Sequence, residues 1–88
     1  MSKHEELIIP NPALSDANSF ELLRVWIANN GQHVSLRVGV WEDPAAWGIM
    51  LVDLARHIAK AHQQETGADL TETLGRIRAG LDAEWSSA

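Results

Sequence analysis

Between Glu21 and Trp41 the chain alternates apolar and polar residues in two short runs, and after Asp43 its apolar residues recur at helical spacing. The two runs flank Asn30-Gly31. Asn and Gly tolerate the positive φ that both central residues of a type I′ turn require, so the pattern predicts a β-hairpin over 20–41. A two-residue loop there sets Ile27 opposite Val34, Val25 opposite Leu36 and Leu23 opposite Val38, an aliphatic face. The other face pairs Ala28 with His33, Trp26 with Ser35, Arg24 with Arg37, Leu22 with Gly39 and Phe20 with Trp41. A slip by one residue would set apolar residues against polar ones, which supports this register.

Asp43-Pro44 is a helix start with a mechanism. Aspartate at the cap accepts from an orphan backbone N–H, and proline at the first position sacrifices no hydrogen bond. The helix is expected over 44–65, stopped by Gly67. Trp47, Leu51, Leu54, Ile58 and Ala61 form one stripe, expected to lie on the aliphatic face of the hairpin; Ala45, Ile49, Val52 and Ala59 form a second. Asp69 with Glu72 three residues on resembles a capping box and opens a second helix, over 69–86, whose stripe is Leu70, Leu74, Ile77, Leu81 and Trp85. Glu72 and Arg76 stand in the favourable acid-first order. Gly75, Ala79 and Ala83, with Gly80 beside them, suit close helix approach or are simply tolerated. The fold class is α+β, ordered ββαα. Residues 1–19, punctuated by Pro10 and Pro12, read as an extended arm in which Leu7-Ile8-Ile9 is an edge strand or a strap onto a neighbouring subunit. Residues 20–88 form one domain.

The polar face of the hairpin carries the candidate chemistry. Arg24 directly opposite Arg37 is repulsive unless something negative lies near. Trp26, diagonal to Arg37, is placed to stack on its guanidinium. Three readings follow: long arginine stems covering a half-exposed face, an arginine pair receiving a carboxylate or phosphate, or arginines meeting acidic residues of a partner subunit. The candidate ligand set is Arg24, Arg37, Trp26 and His33.

Composition narrows the rest. With 88 residues, a net charge of −5 and a pI near 5.2, the chain offers little to a phosphate backbone, and no nucleic-acid partner is expected. Cysteine is absent, which removes disulfides, thiolate metal sites and thiol nucleophiles. No run is long enough for a bilayer, and the start at Met1 lacks a secretory layout, so the expected address is the cytoplasm without a membrane partner. Asp53 and His57 are four apart, but two ligands do not make a metal site, and His62 points off their line. Ser35 and His33 share a face by simple alternation, with no acid to complete a triad. Glu42 and Asp43 are adjacent carboxylates that helix capping explains. Without a glycine-rich phosphate loop, no cofactor is expected.

The run ELLRVWIANNGQHVSLRVGVWEDPAAWGIMLVDLARHIAKAH, from Glu21 to His62, resembles the core pattern of a bacterial family, domain-of-unknown-function family 5076, most specifically in WEDPAAWG and DLARH. The resemblance implies short, cytoplasmic, uncharacterised proteins, and it carries over no catalytic residue. Function is then read from surfaces. A lone hairpin is marginal, and the first helix is apolar around most of its girth, more than the second helix covers. A homodimer that joins hairpins into a four-stranded sheet is expected, serving as a non-enzymatic assembly or protein-interaction domain with Trp26 and Trp41 as contact candidates. The alternative is a binder of a small anionic ligand through Arg24, Arg37, Trp26 and His33.

Overall fold

In the computed structural model, which describes residues 4–87, the elements run α1 (Asn11–Ser15), β1 (Leu23–Ala28), β2 (Gly31–Leu36), a 3-10 turn at Val38–Val40, α2 (Ala45–Thr66) and α3 (Leu70–Ser86). The ββαα order is the expected one. The chain divides after Val40 into a hairpin unit and a helical unit.

In the hairpin unit the strands pair antiparallel, with Leu23 opposite Leu36, Arg24 opposite Ser35, Val25 opposite Val34, Trp26 opposite His33 and Ala28 opposite Gly31. This corrects the expected register. The loop is Asn29-Asn30, both in the left-handed region at φ 53° and 59°, so the turn sits one residue earlier than Asn30-Gly31. Each β1 residue therefore meets a β2 residue two positions nearer the turn. A shift of two preserves the phase, and the aliphatic and polar faces keep their membership. Arg24 now faces a serine in place of Arg37, which removes the direct like-charge opposition. Asparagine visits the left-handed region more readily than other side chains, so the earlier loop costs little.

The strands are also shorter than the expected 20–41. The ladder ends with the Arg37 N–H donating to the Leu22 carbonyl at 2.9 Å, and the 3-10 turn takes the chain away. Leu23–Val38, Leu22–Gly39 and Phe20–Trp41 are accordingly not strand pairs. In the arm, Leu7, Ile8 and Ile9 lie outside any strand, and α1 occupies Asn11–Ser15 where extended chain was expected. Pro12 sits in its first turn, where a missing N–H is harmless. Two side-chain bonds hold the bend after α1: the Asn18 N–H donates to the Asp16 carboxylate at 2.9 Å, and the Ser19 hydroxyl to the Ala13 carbonyl at 2.7 Å.

In the helical unit α2 begins one residue later than expected, opening at Ala45 with Pro44 at its cap position. The Asp43 carboxylate accepts from the Ala45 N–H at 3.0 Å, with Pro44 already helical at φ −57°. Gly67, at φ 74°, closes α2 by donating its N–H to the Gln63 carbonyl at 2.9 Å; a side chain there would be strained. Asp69 then caps α3, accepting from the Glu72 N–H at 2.9 Å. On α3, Arg78 and Asp82 form an i,i+4 ion pair at 3.0 Å.

α2 and α3 pack against each other along a seam of small residues on α2 and larger ones on α3. Ala59 is fully buried, Ala55 is half-buried, and on α3 so are Leu70, Leu74 and Ile77. A Cβ built at Gly75 or Gly80 meets nothing, so close helix approach is not what those glycines serve within the chain. Trp41 and Trp47 contact edge to face, with centroids 5.1 Å apart at 84°. Among the described residues Ala59 is the one buried hydrophobic residue.

Candidate functional site

The polar face of the hairpin gathers the four candidate residues in part. Arg24 and Trp26 alternate along β1, and His33 lies directly across from Trp26 on β2, so period-two geometry alone brings these three together. Arg37 lies just past the end of β2, beside the start of β1. The cation over Trp26 is Arg24, 5.8 Å from the ring centroid, and not the expected Arg37. The corrected register places Arg24 next to Trp26 on the same strand and face, while the Arg37 guanidinium sits 5.2 Å from the centroid of Phe20.

Both arginines are engaged by their own chain. The Arg24 Nε donates to the Glu21 carboxylate at 3.0 Å, and its Nη1 reaches the Glu6 carboxylate at 3.5 Å. The hydrogen bond and charge of Glu21, with the charge of Glu6, raise the Arg24 pKa above its ordinary value, so the guanidinium stays charged throughout the working range. The Arg37 Nε donates to the Glu21 backbone carbonyl at 3.2 Å. The His33 Nε2–H donates to the Ala28 carbonyl at 3.1 Å, which fastens the ring beside the turn. His4 meets Trp26 edge-on, with ring centroids 5.9 Å apart.

Two hollows share Arg24. One, of about 300 Å³, is lined by Glu21, Leu22, Leu23, Arg24, Ser35, Leu36 and Arg37. The other, of about 420 Å³, lies between His4, Glu6, Arg24, Trp26 and Ala28. Both lie in the hairpin unit and are open to solvent. The two carboxylates beside Arg24 are not among the candidates that the sequence singles out. Glu21, three residues before Arg24, leaves a faint local signal, whereas Glu6, eighteen before, leaves none.

On α2, Asp53 is paired with Arg56 at 3.3 Å. Among the described residues no three His, Cys, Asp or Glu side chains converge as a metal site. No helix among them is long and apolar enough to cross a membrane.

No curated protein matches the chain. Four chains of solved structure do, among them one described as "a putative pyruvate dehydrogenase from the photosynthetic bacterium Rhodopseudomonas palustrus CGA009". It is 30% identical, with a TM-score of 0.74, and the match covers 100% of this chain and 91% of that one. The model of a domain of unknown function, DUF5076, matches residues 6–88. With that match spanning nearly the whole sequence, the chain belongs to the DUF5076 family.

Proposed function

We propose that this chain is a non-enzymatic assembly domain whose first partner is another copy of itself. The observation that carries this is the near absence of a dry interior: Ala59 is the one buried hydrophobic residue described. On the hairpin, Val25, Val34 and Leu36 each leave about half their surface exposed and Ile27 leaves 76%. On the helices, Ile49, Val52 and Trp85 are exposed as well. Apolar surface on this scale marks an interaction site in a protein that stays in solution. The polar face points the same way, since its arginines already hold carboxylates or carbonyls of their own chain and its hollows are open. Catalysis ordinarily uses an enclosed, water-excluding pocket.

Light scattering coupled to size exclusion tests this directly. The expected mass is a multiple of 9.7 kDa, held down to low micromolar concentration. A mass of 9.7 kDa across the whole series overturns the proposal.

A second reading has one observation in its favour. The 300 Å³ hollow is flanked by both arginines, and a carboxylate or phosphate entering it displaces Glu21 from Arg24. A neighbour described as a pyruvate dehydrogenase makes a 2-oxoacid a reasonable probe. Thermal melting against pyruvate, acetate and phosphate, with Arg24→Ala alongside, separates the readings. Assembly alone predicts a flat panel. A ligand at a hundred times its Kd raises the melting temperature on the order of 10 °C, and Arg24→Ala abolishes that rise if the hollow is the site.

A further inference from the structure

Resting on the reading of self-assembly, we propose that the outer edge of β2 pairs with β2 of a second copy across a two-fold axis. The result is a four-stranded antiparallel sheet ordered β1-β2-β2-β1.

The backbone phase identifies the free groups. Antiparallel pairs alternate between those that exchange both hydrogen bonds and those that exchange none. The Arg37 N–H bonded to the Leu22 carbonyl marks that pair as a bonded one, and so in turn are Arg24/Ser35, Trp26/His33 and Ala28/Gly31. The N–H and C=O groups of Gln32, Val34 and Leu36 therefore point away from β1. Side-chain direction alternates with the same period, so these three residues also project onto the aliphatic face. Any antiparallel β2–β2 pairing must match outward groups with outward groups. It therefore brings the aliphatic faces of both hairpins to one side and His33 and Ser35 of both copies to the other, with no further adjustment.

The edge is unguarded. Lone edges are normally protected by charge, proline or a bulge, yet Gly31–Leu36 contains no Asp, Glu, Lys, Arg or Pro. β1 differs, since it carries Arg24 and its ion pairs to Glu6 and Glu21. A second copy is the occupant that the edge supports: the outward groups of Gln32, Val34 and Leu36 are matched in full by the same strand run antiparallel, and Val34 and Leu36 leave 49% and 51% of their surface exposed for the pairing to cover. Two-fold pairing is the closed arrangement a self-complementary edge makes, and four strands pass the width at which a sheet is stable.

Amide hydrogen exchange on the wild-type protein decides the matter. Pairing through β2 slows the amides of Val34 and Leu36 by at least about 100-fold relative to unbonded strand amides, matching His33 and Ser35. Val34→Pro is the companion variant. It removes an outward donor without touching the bonds to β1 and is expected to run at 9.7 kDa with its secondary structure kept. Fast exchange at Val34 and Leu36 in a protein that scattering shows to be dimeric overturns the β2 pairing but leaves self-assembly standing. A wild-type monomer overturns both, and if those amides are nevertheless slow, a segment of the same chain occupies the edge. Should Val34→Pro not fold, the exchange pattern of the unaltered protein still separates these outcomes.

Discussion

Ala59→Glu is expected to pull α2 from α3 and to lower the urea midpoint of the helical unit steeply. Ala59 is in the helix seam and is 0% exposed, so a carboxylate there is shut away from water. Leaving a charge buried and unpaired costs about 3–5 kcal/mol. The whole stability of a chain this size is roughly 4–13 kcal/mol, so the substitution removes a large share of it. Ala61→Glu, two positions on and exposed, is the control for charge and helix propensity. Helical circular dichroism during a urea titration reads both. A midpoint for Ala59→Glu close to that of Ala61→Glu would show that the seam lies elsewhere.

Trp47→Ala has the next largest expected effect. Trp47 is half-buried in the first turns of α2 and meets Trp41 edge to face at 5.1 Å. Full truncation of a buried aromatic costs about 3–5 kcal/mol, and a half-buried one about half that. The edge-to-face contact adds about 0.5–1.5 kcal/mol beyond the area buried. A double-mutant cycle with Trp41→Ala isolates that part, so the two losses are expected to sum to more than the double variant shows. Strict additivity in denaturant unfolding would mean that the rings pack independently.

What could be read from the sequence was whatever local chemistry decides. The two helix starts were legible, Asp69 as the cap itself and Asp43 one residue before the cap, because a side-chain oxygen reaches an N–H two or three residues ahead wherever the chain goes next. The hairpin and its two faces were legible because alternation survives a register shift of two. The turn itself was not, since Asn29-Asn30-Gly31 offers two adjacent two-residue loops, both chemically suitable. With the loop went the Arg24–Arg37 opposition and the Trp26–Arg37 stack. Glu6 on Arg24 was beyond reach because nothing local ties residues eighteen apart. The helix seam was hidden for a different reason. Trp47, Leu51, Leu54 and Ile58 outrank Ala59 in hydrophobicity, but burial records what a neighbouring helix covers, and two helices approach most closely where side chains are small.

The shortness of the two connections has a kinetic consequence. β1 reaches β2 across Asn29-Asn30, and α2 reaches α3 across Gly67, Ala68 and Asp69, so neither pairing must close a long loop. Each forms on the microsecond scale typical of hairpins and helices. If the proposed self-assembly holds, the concentration-dependent step in maturation is then the encounter between molecules, and its half-time shortens as the protein becomes more abundant.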